Sequence, residues 1–158
     1  ISGATISSPY GAFNSKTTQT VAAANTPQQV VLENTDYTNG VYLNTTNDMY
    51  FTQSGIYNIQ YSIQFSNSSS TNAGDINIFL RHNGVVVPNT NSVATIPTTH
   101  GGANGHVIVA ANFFMRVSAG DYVELYWSSP YTTTYIEYVT SVSPTSPSIV
   151  VTASYVSQ

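Results

Sequence analysis

Residues 57–65 have the sequence Tyr-Asn-Ile-Gln-Tyr-Ser-Ile-Gln-Phe, in which odd positions are large and apolar or aromatic and even positions are polar. A repeat of two places these two sets of side chains on opposite faces of a β-strand. The stretch therefore predicts a long strand, over residues 56–65, that buries one face and keeps the other polar.

Similar strands and short turns follow along the chain. Residues 76–80 alternate in the same way, and Asn83-Gly84 then predicts a two-residue hairpin into residues 85–87. Ala119-Gly120-Asp121 predicts a second hairpin, joining the apolar segment 106–117 to residues 122–127. Further strands are predicted at residues 10–13, 20–23, 29–32, 40–43, 49–52, 136–139 and 149–156.

The spacing of these elements predicts the fold class. Turn signals recur at short intervals, and no helical pattern separates the strands, as it would in a parallel sheet. We therefore predict an all-β fold, an antiparallel two-sheet jelly-roll sandwich of about ten strands. A length of 158 residues fits one domain. We place this domain at residues 10–158, after a lead-in or linker at residues 1–9.

Composition excludes several classes of partner. Charged residues make up 6% of the chain and hydrophobic residues 41%, which is typical of a folded protein with an uncharged polar surface. Three Lys and Arg residues and a net charge of −4 provide no basic surface for nucleic acid. No apolar run of 18 residues is present, so membrane insertion is not expected. The absence of cysteine excludes disulfides and thiolate metal sites.

Residues 106–117 are largely apolar at both the odd-numbered and the even-numbered positions. Val107, Val109 and Phe113 belong to one face of the predicted strand, and Ile108 and Phe114 to the other. A sandwich buries only one face of each strand, and exposure of a large apolar side chain forfeits about 1.5–3 kcal/mol. We therefore predict that a homo-oligomer buries the second face. The alternative is that the chain's own loops cover it.

Several segments resemble a known family. Tyr10–Asn14, the Gly55-Ile56-Tyr57 start of the long strand and residues 113–125 (Phe-Phe-Met-Arg-Val-Ser-Ala-Gly-Asp-Tyr-Val-Glu-Leu) resemble the tumour necrosis factor superfamily and the globular heads of complement and collagen-like proteins. Residues 57–65 followed by 75–85 resemble the versions encoded by bacteriophages and large DNA viruses. The resemblance implies a ten-stranded jelly roll that trimerises around a three-fold axis.

The resemblance also implies which side chains meet at the subunit contacts. In that family, faces of the long early strand, the late strand and the C-terminal strand turn towards the axis. Asn58 and Gln60 stand where the family often has apolar residues, and if buried they need hydrogen bonds across subunits. Together with Ile108, which the parity of its strand adds, the expected trimer interface consists of Asn58, Gln60, Ser62, Ile108, Ala110, Asn112 and Phe114.

The sequence offers little for catalysis. His100 and His106 are separated by five residues that include three glycines and no carboxylate, so we predict neither a metal nor a cofactor. Asp121 and Glu124 have opposite parities and are not expected to converge. No phosphate-binding loop or nucleophile elbow is present. We predict a non-enzymatic protein; a glycosidase pair drawn from distant loops is the alternative.

Aromatic residues are concentrated at residues 126–138, which contain four tyrosines and the only tryptophan. Such side chains combine a flat apolar face with a polar group and are frequent in recognition surfaces. We predict a receptor-binding patch of Trp127, Tyr131 and Tyr135. The alternative is a tyrosine-rich strand that packs on the sandwich.

Taken with the resemblance, these features predict a trimeric head or fibre-tip domain on the surface of a virion. Its partners would be its own copies and a host-surface receptor, with glycans as the favoured class. The alternative is a trimerising cap of a collagen-like protein on a bacterial or spore surface.

Overall fold

The computed structural model describes residues 7–158 and contains fourteen strands in that range. The strands are β1 (Tyr10–Ser15), β2 (Gln19–Thr20), β3 (Gln28–Gln29), β4 (Asn34–Asn39), β5 (Val41–Leu43), β6 (Met49–Phe51), β7 (Gly55–Asn67), β8 (Gly74–His82), β9 (Val85–Val86), β10 (Ser92–Ile96), β11 (Gly105–Val117), β12 (Tyr122–Ser128), β13 (Thr134–Ile136) and β14 (Ile149–Ser157). No described segment is a helix long and apolar enough to cross a membrane.

The strands form two seven-stranded sheets packed face to face, which confirms the predicted antiparallel, jelly-roll-like sandwich. In sheet A the order is β2-β13-β7-β14-β1-β4, and β11 pairs with the other edge of β7. In sheet B the order is β10-β8-β12-β6-β5, with β3 paired to β12 and β9 to β8. The strand count exceeds the ten expected because several strands are only two or three residues long.

Strand β7 is the centre of sheet A. β11 pairs with it from Gly105 opposite Asn67 to Val117 opposite Gly55, while β14 and β13 share its other edge. The odd-numbered side chains Tyr57 to Phe65 are buried, as their alternation predicts. They pack against apolar residues of sheet B, including Ile78, Leu80 and Trp127, and these two layers form the core.

The two predicted hairpins have different outcomes. Asn83 and Gly84 have φ angles of 49° and 79°, and they join β8 to β9 as predicted. The predicted hairpin at residues 119–121 is wrong, because β11 pairs with β7 in sheet A whereas β12 pairs with β8 in sheet B. A tight glycine turn reverses the chain whether the next strand stays in the sheet or crosses to the other one. The local sequence therefore does not distinguish the two.

Two strands lie outside the predicted set. β4 has the sequence Asn-Thr-Asp-Tyr-Thr-Asn and is paired only with β1, at the edge of sheet A. β10 is a five-residue edge strand of sheet B. β4 has no buried side chain and therefore no alternation to detect. β10 alternates in burial, but the apolar Val93 lies on its exposed side, so polarity in its sequence does not follow the period of two.

Among the described residues, the first strand begins at Tyr10, the residue at which the predicted domain starts. Residues 1–6 of the predicted lead-in lie outside the described residues. Residues 7–9 contact the sandwich: Asn39 donates to the Ser7 hydroxyl at 2.7 Å, and the Tyr155 amide donates to the Pro9 carbonyl at 2.9 Å.

A pair of valine substitutions tests the position of the core. Val151 of β14 is fully buried, whereas Val93 of β10 is largely exposed. Val151→Ala is expected to lower the free energy of unfolding by about 1.5–3 kcal/mol, because two buried methyl groups are lost and a cavity remains. Val93→Ala is the control, with a change within about 0.5 kcal/mol. Urea unfolding at one protein concentration measures both, and equal losses would contradict this packing.

Candidate functional site

The side chains of β11, β7 and β14 that point away from the core form the outer face of sheet A, where the sequence predicted the subunit contact. Register places its residues in rows across three strands. Asn112 lies opposite Gln60, and Gln60 opposite Thr152. All seven residues predicted for the trimer interface lie on this face: Asn58, Gln60, Ser62, Ile108, Ala110, Asn112 and Phe114.

Two large apolar side chains project from this face. Phe114 is 69% exposed and Ile108 is 61% exposed. Within residues 7–158 no loop covers either of them, so the alternative that the chain's own loops bury this side of β11 does not hold there. The inward side chains Val107, Val109 and Phe113 are themselves half-buried, because β11 is the edge strand of its sheet.

Two hollows lie on this face, one between Phe114 and Ile108 and one on the other side of Ile108. One has a volume of about 540 Å³ and is open to solvent. The other, of about 510 Å³, lies beside Ile108. The face is therefore not flat, because projecting side chains and hollows lie next to each other. Lining the first hollow are Gln60, Ser62, Ala110, Asn112, Val150 and Thr152.

Asn58 has an unusual environment on the same face. Its neighbours are Phe114 on β11 and Ser154 on β14. The Asn58 side-chain oxygen is buried and has no hydrogen-bond partner among the described residues. A buried amide oxygen without a donor costs about 1–3 kcal/mol, so the site favours an additional donor from outside the subunit.

A serine, a histidine and a glutamate meet at one end of the outer face. The Ser66 hydroxyl donates to Glu137 Oε2 at 2.7 Å and lies 2.9 Å from His106 Nδ1, which is itself 3.3 Å from that carboxylate oxygen. A catalytic triad requires the serine and the carboxylate at different imidazole nitrogens. Here both lie at Nδ1, and Ser66 is fully buried. The cluster therefore lacks the geometry of such a triad, and its contacts link β7 and β11 to the residue that follows β13.

Sequence reasoning missed this cluster because Glu137 is 31 residues from His106. No periodicity connects the two side chains; the pairing of β7 with both β11 and β13 brings them together. Among residues 7–158, no group of three or more His, Asp or Glu side chains has the arrangement of a metal site.

Asp121 and Glu124 have opposite electrostatic environments. Burial acts to raise the pKa of Asp121, but hydrogen bonds from Asn83, the Ser118 amide and His82 outweigh it and lower that pKa below 3.8. Burial raises the pKa of Glu124 above 4.5; the charge of Arg81 opposes this effect and that of Asp48 adds to it.

The predicted receptor-binding patch is partly wrong. Trp127 is fully buried, with its ring 5.7 Å from that of Phe65, so it cannot contact a receptor. Its parity, shared with the buried Val123 and Leu125, was the sequence signal for this position. Tyr131 and Tyr135 are half-buried, and the Tyr135 hydroxyl accepts a hydrogen bond from Asn104 at 2.6 Å.

A second aromatic surface, which sequence reasoning did not identify, covers the outer face of sheet B. It combines two sets of stacked rings on neighbouring strands with one arginine. The parity of Tyr122, Glu124 and Tyr126, opposite to that of the buried Trp127, was the available signal. The residues of this face are Tyr42, Tyr50, Phe79, Arg81, Tyr122 and Tyr126.

Neither a protein-family model nor a curated protein matches this chain. Functional inference therefore depends on the chemistry of these surfaces.

Tryptophan fluorescence tests the position of Trp127, since this is the only tryptophan in the chain. A buried indole is expected to emit at shorter wavelength than free tryptophan and to resist quenching by acrylamide. Both properties should be lost on unfolding in guanidinium. Quenching of the native protein as efficient as that of N-acetyltryptophanamide would place the indole at the surface.

Asp121→Asn and Glu124→Gln are expected to alter stability with opposite dependence on pH. The lowered pKa of Asp121 means that its contribution to stability is present above 3.8 and lost as the pH falls through the folded value. The raised pKa of Glu124 means that its contribution is present below 4.5 and lost as the pH rises.

Destabilisation by Asp121→Asn should therefore shrink as the pH falls from about 5 to about 3, and destabilisation by Glu124→Gln should shrink as it rises from about 4 to about 7. Urea unfolding at fixed protein concentration measures both. The same direction of change in the two variants would contradict the environments described.

Proposed function

We propose that this domain is a non-enzymatic, trimeric head or fibre-tip domain of a virion, which associates through the outer face of sheet A and attaches to a host-surface receptor. The observation that carries the proposal is the exposure of Phe114 and Ile108 on one face with the unpartnered oxygen of Asn58. Burying two such side chains recovers about 1.5–3 kcal/mol each in every copy.

The projections and hollows of the outer face of sheet A support contact between copies of the chain. Around a three-fold axis, each subunit presents one part of its surface to a different part of the next. Phe114 projects, and the hollow that includes Ala110 and Thr152 recedes on the same face. In the proposed trimer, the aromatic ring of one copy fills the hollow of its neighbour, and a neighbouring amide or hydroxyl donates to Asn58.

Polar groups give this contact its specificity. Gln60 and Asn112 lie opposite each other in the middle of the face, where each amide can both donate and accept a hydrogen bond. An amide-rich contact of this kind favours one register over others, since a shifted arrangement leaves buried amides unpaired. The virion setting and the attachment role rest on the resemblance to the jelly-roll heads of viruses.

Receptor attachment distinguishes this proposal from a collagen-stalk cap, which would use the same self-association without recognition. Tyr131 and Tyr135 remain the residues predicted from the sequence for that recognition. Tyr131 packs over Gly74, where its ring would lie 2.6 Å from an added Cβ, so one side of the ring is held against the domain.

Light scattering tests the assembly. The wild-type protein is expected to have three times the 17.0 kDa mass of one chain. Phe114→Ser should weaken association by about tenfold or more, because each copy loses a buried ring. Tyr37→Ser is the matched control, since Tyr37 is also 69% exposed but lies on β4 at the far edge of the sheet. A wild-type monomer at micromolar concentration, or equal weakening by both substitutions, would contradict the proposal.

A further inference from the structure

The outer face of sheet B contains a row of three tyrosines on neighbouring strands. Tyr42 of β5 stacks on Tyr50 of β6 with ring centres 5.6 Å apart and planes within 16°. Tyr50 in turn lies 5.3 Å from Tyr122 of β12. These rings are only partly buried, and Tyr42 is the most exposed of them. The row is a continuous aromatic surface outside the core.

A second aromatic group lies beside this row. Phe79 of β8 stacks on Tyr126 of β12 at 6.0 Å and 26°, and the guanidinium carbon of Arg81 lies 4.5 Å from the centre of the Tyr126 ring. Arg81 Nε also donates to the Gly84 carbonyl at 3.0 Å. Stacking and hydrogen bonding hold the guanidinium in place, so the surface is pre-organised before a ligand arrives.

Two hollows flank Phe79 and the exposed Val86. One measures about 340 Å³ and includes the amides of Asn77 and Asn91 and the hydroxyl of Ser128. The other measures about 280 Å³ and includes Arg81 and Tyr126. Each is close to the lower end of the usual size of ligand clefts, roughly 300 Å³. Together they provide aromatic walls with a few polar groups at the rim.

The charged groups at this face already contact groups of the same subunit. Asp121 accepts hydrogen bonds from His82, Asn83 and the Ser118 amide, at 2.7–2.8 Å. Arg81 Nε lies 3.9 Å from Oε2 of the buried Glu124, an oxygen that accepts no hydrogen bond among the described residues. The one arginine of the face is therefore already beside a carboxylate and is not a free site for an anion, whereas the amides and hydroxyl at the rim of the hollows can both donate to and accept from hydroxyl groups of a ligand.

We infer that the outer face of sheet B binds a neutral oligosaccharide. The C–H faces of pyranose rings pack on Phe79, Tyr126 and the tyrosine row, and hydroxyl groups bond to Arg81 and to the amides of Asn77 and Asn91. The inference deepens the proposed attachment function by naming its ligand and surface. Sheet B lies on the opposite side of the sandwich from the proposed trimer contact, so all three copies of this face stay open in the assembly.

A printed array of neutral, sialylated and sulfated oligosaccharides, probed with the intact protein, tests the ligand class. The expected result is retention on neutral oligosaccharides. Isothermal titration with the strongest neutral oligosaccharide then measures affinity. The double variant Phe79→Ala/Tyr126→Ala is expected to weaken binding at least tenfold, and Arg81→Gln alone is expected to weaken it several-fold. Tyr37→Ala, an exposed tyrosine of sheet A, is the control with unchanged affinity.

Several results would overturn the inference: no retention of any oligosaccharide, retention of anionic ones alone, unchanged binding in the double variant and in Arg81→Gln, or loss of binding in Tyr131→Ala/Tyr135→Ala instead. Tryptophan fluorescence verifies that each variant is folded. Light scattering on the same samples separates the two proposals. A trimer without saccharide binding refutes this inference alone, whereas a monomer that binds neutral saccharide refutes the proposed assembly and leaves this site in place.

Discussion

The whole structure depends on the pairing of β7 along both of its edges. Its thirteen residues pair with β11 on one side, and residues 56–63 and 65–67 pair with β14 and β13 on the other, so the backbone of the central strand is hydrogen-bonded along most of both edges. Apolar and polar side chains alternate along β7, so one face of the sheet packs in the core and the other points away from it. Each residue of β11 and β14 that pairs with a residue of β7 points to the same side of the sheet as its partner. The outer face of sheet A is therefore continuous across the three strands.

Strand β11 is an unusual edge strand of sheet A. Within the described part of the chain, β11 pairs only with β7, and it carries apolar side chains on both faces. Soluble proteins normally protect a long apolar edge strand with charge, proline or a covering element. Arg116 and His106 lie near the two ends of β11, but Phe114 and Ile108 remain uncovered. The proposed self-association would satisfy this constraint without any change in the fold of the subunit.

The sandwich also separates two kinds of surface. Sheet A exposes amides, small residues and two projecting apolar side chains, whereas sheet B exposes stacked tyrosines around one arginine. The first composition favours contact between copies of the chain, and the second favours a ligand with flat apolar faces and hydroxyl groups. Because the two faces point in opposite directions, the proposed assembly and the proposed recognition would not compete for the same residues.

Alternating polarity, as in Tyr57 to Phe65, and the spacing of the turns determined by themselves that the protein is a β-sandwich, because both follow from interactions between neighbours in sequence or across one strand pair. The sequence of β11 also placed Phe114 and Ile108 on one face, but because both faces of that strand are apolar, only the structure decided that this face is the exposed one. Only the tertiary structure decided that β11 and β12 belong to different sheets and that Ser66, His106 and Glu137 meet. These outcomes depend on which strand edges pair across long stretches of chain, and a period of two contains no information about that choice.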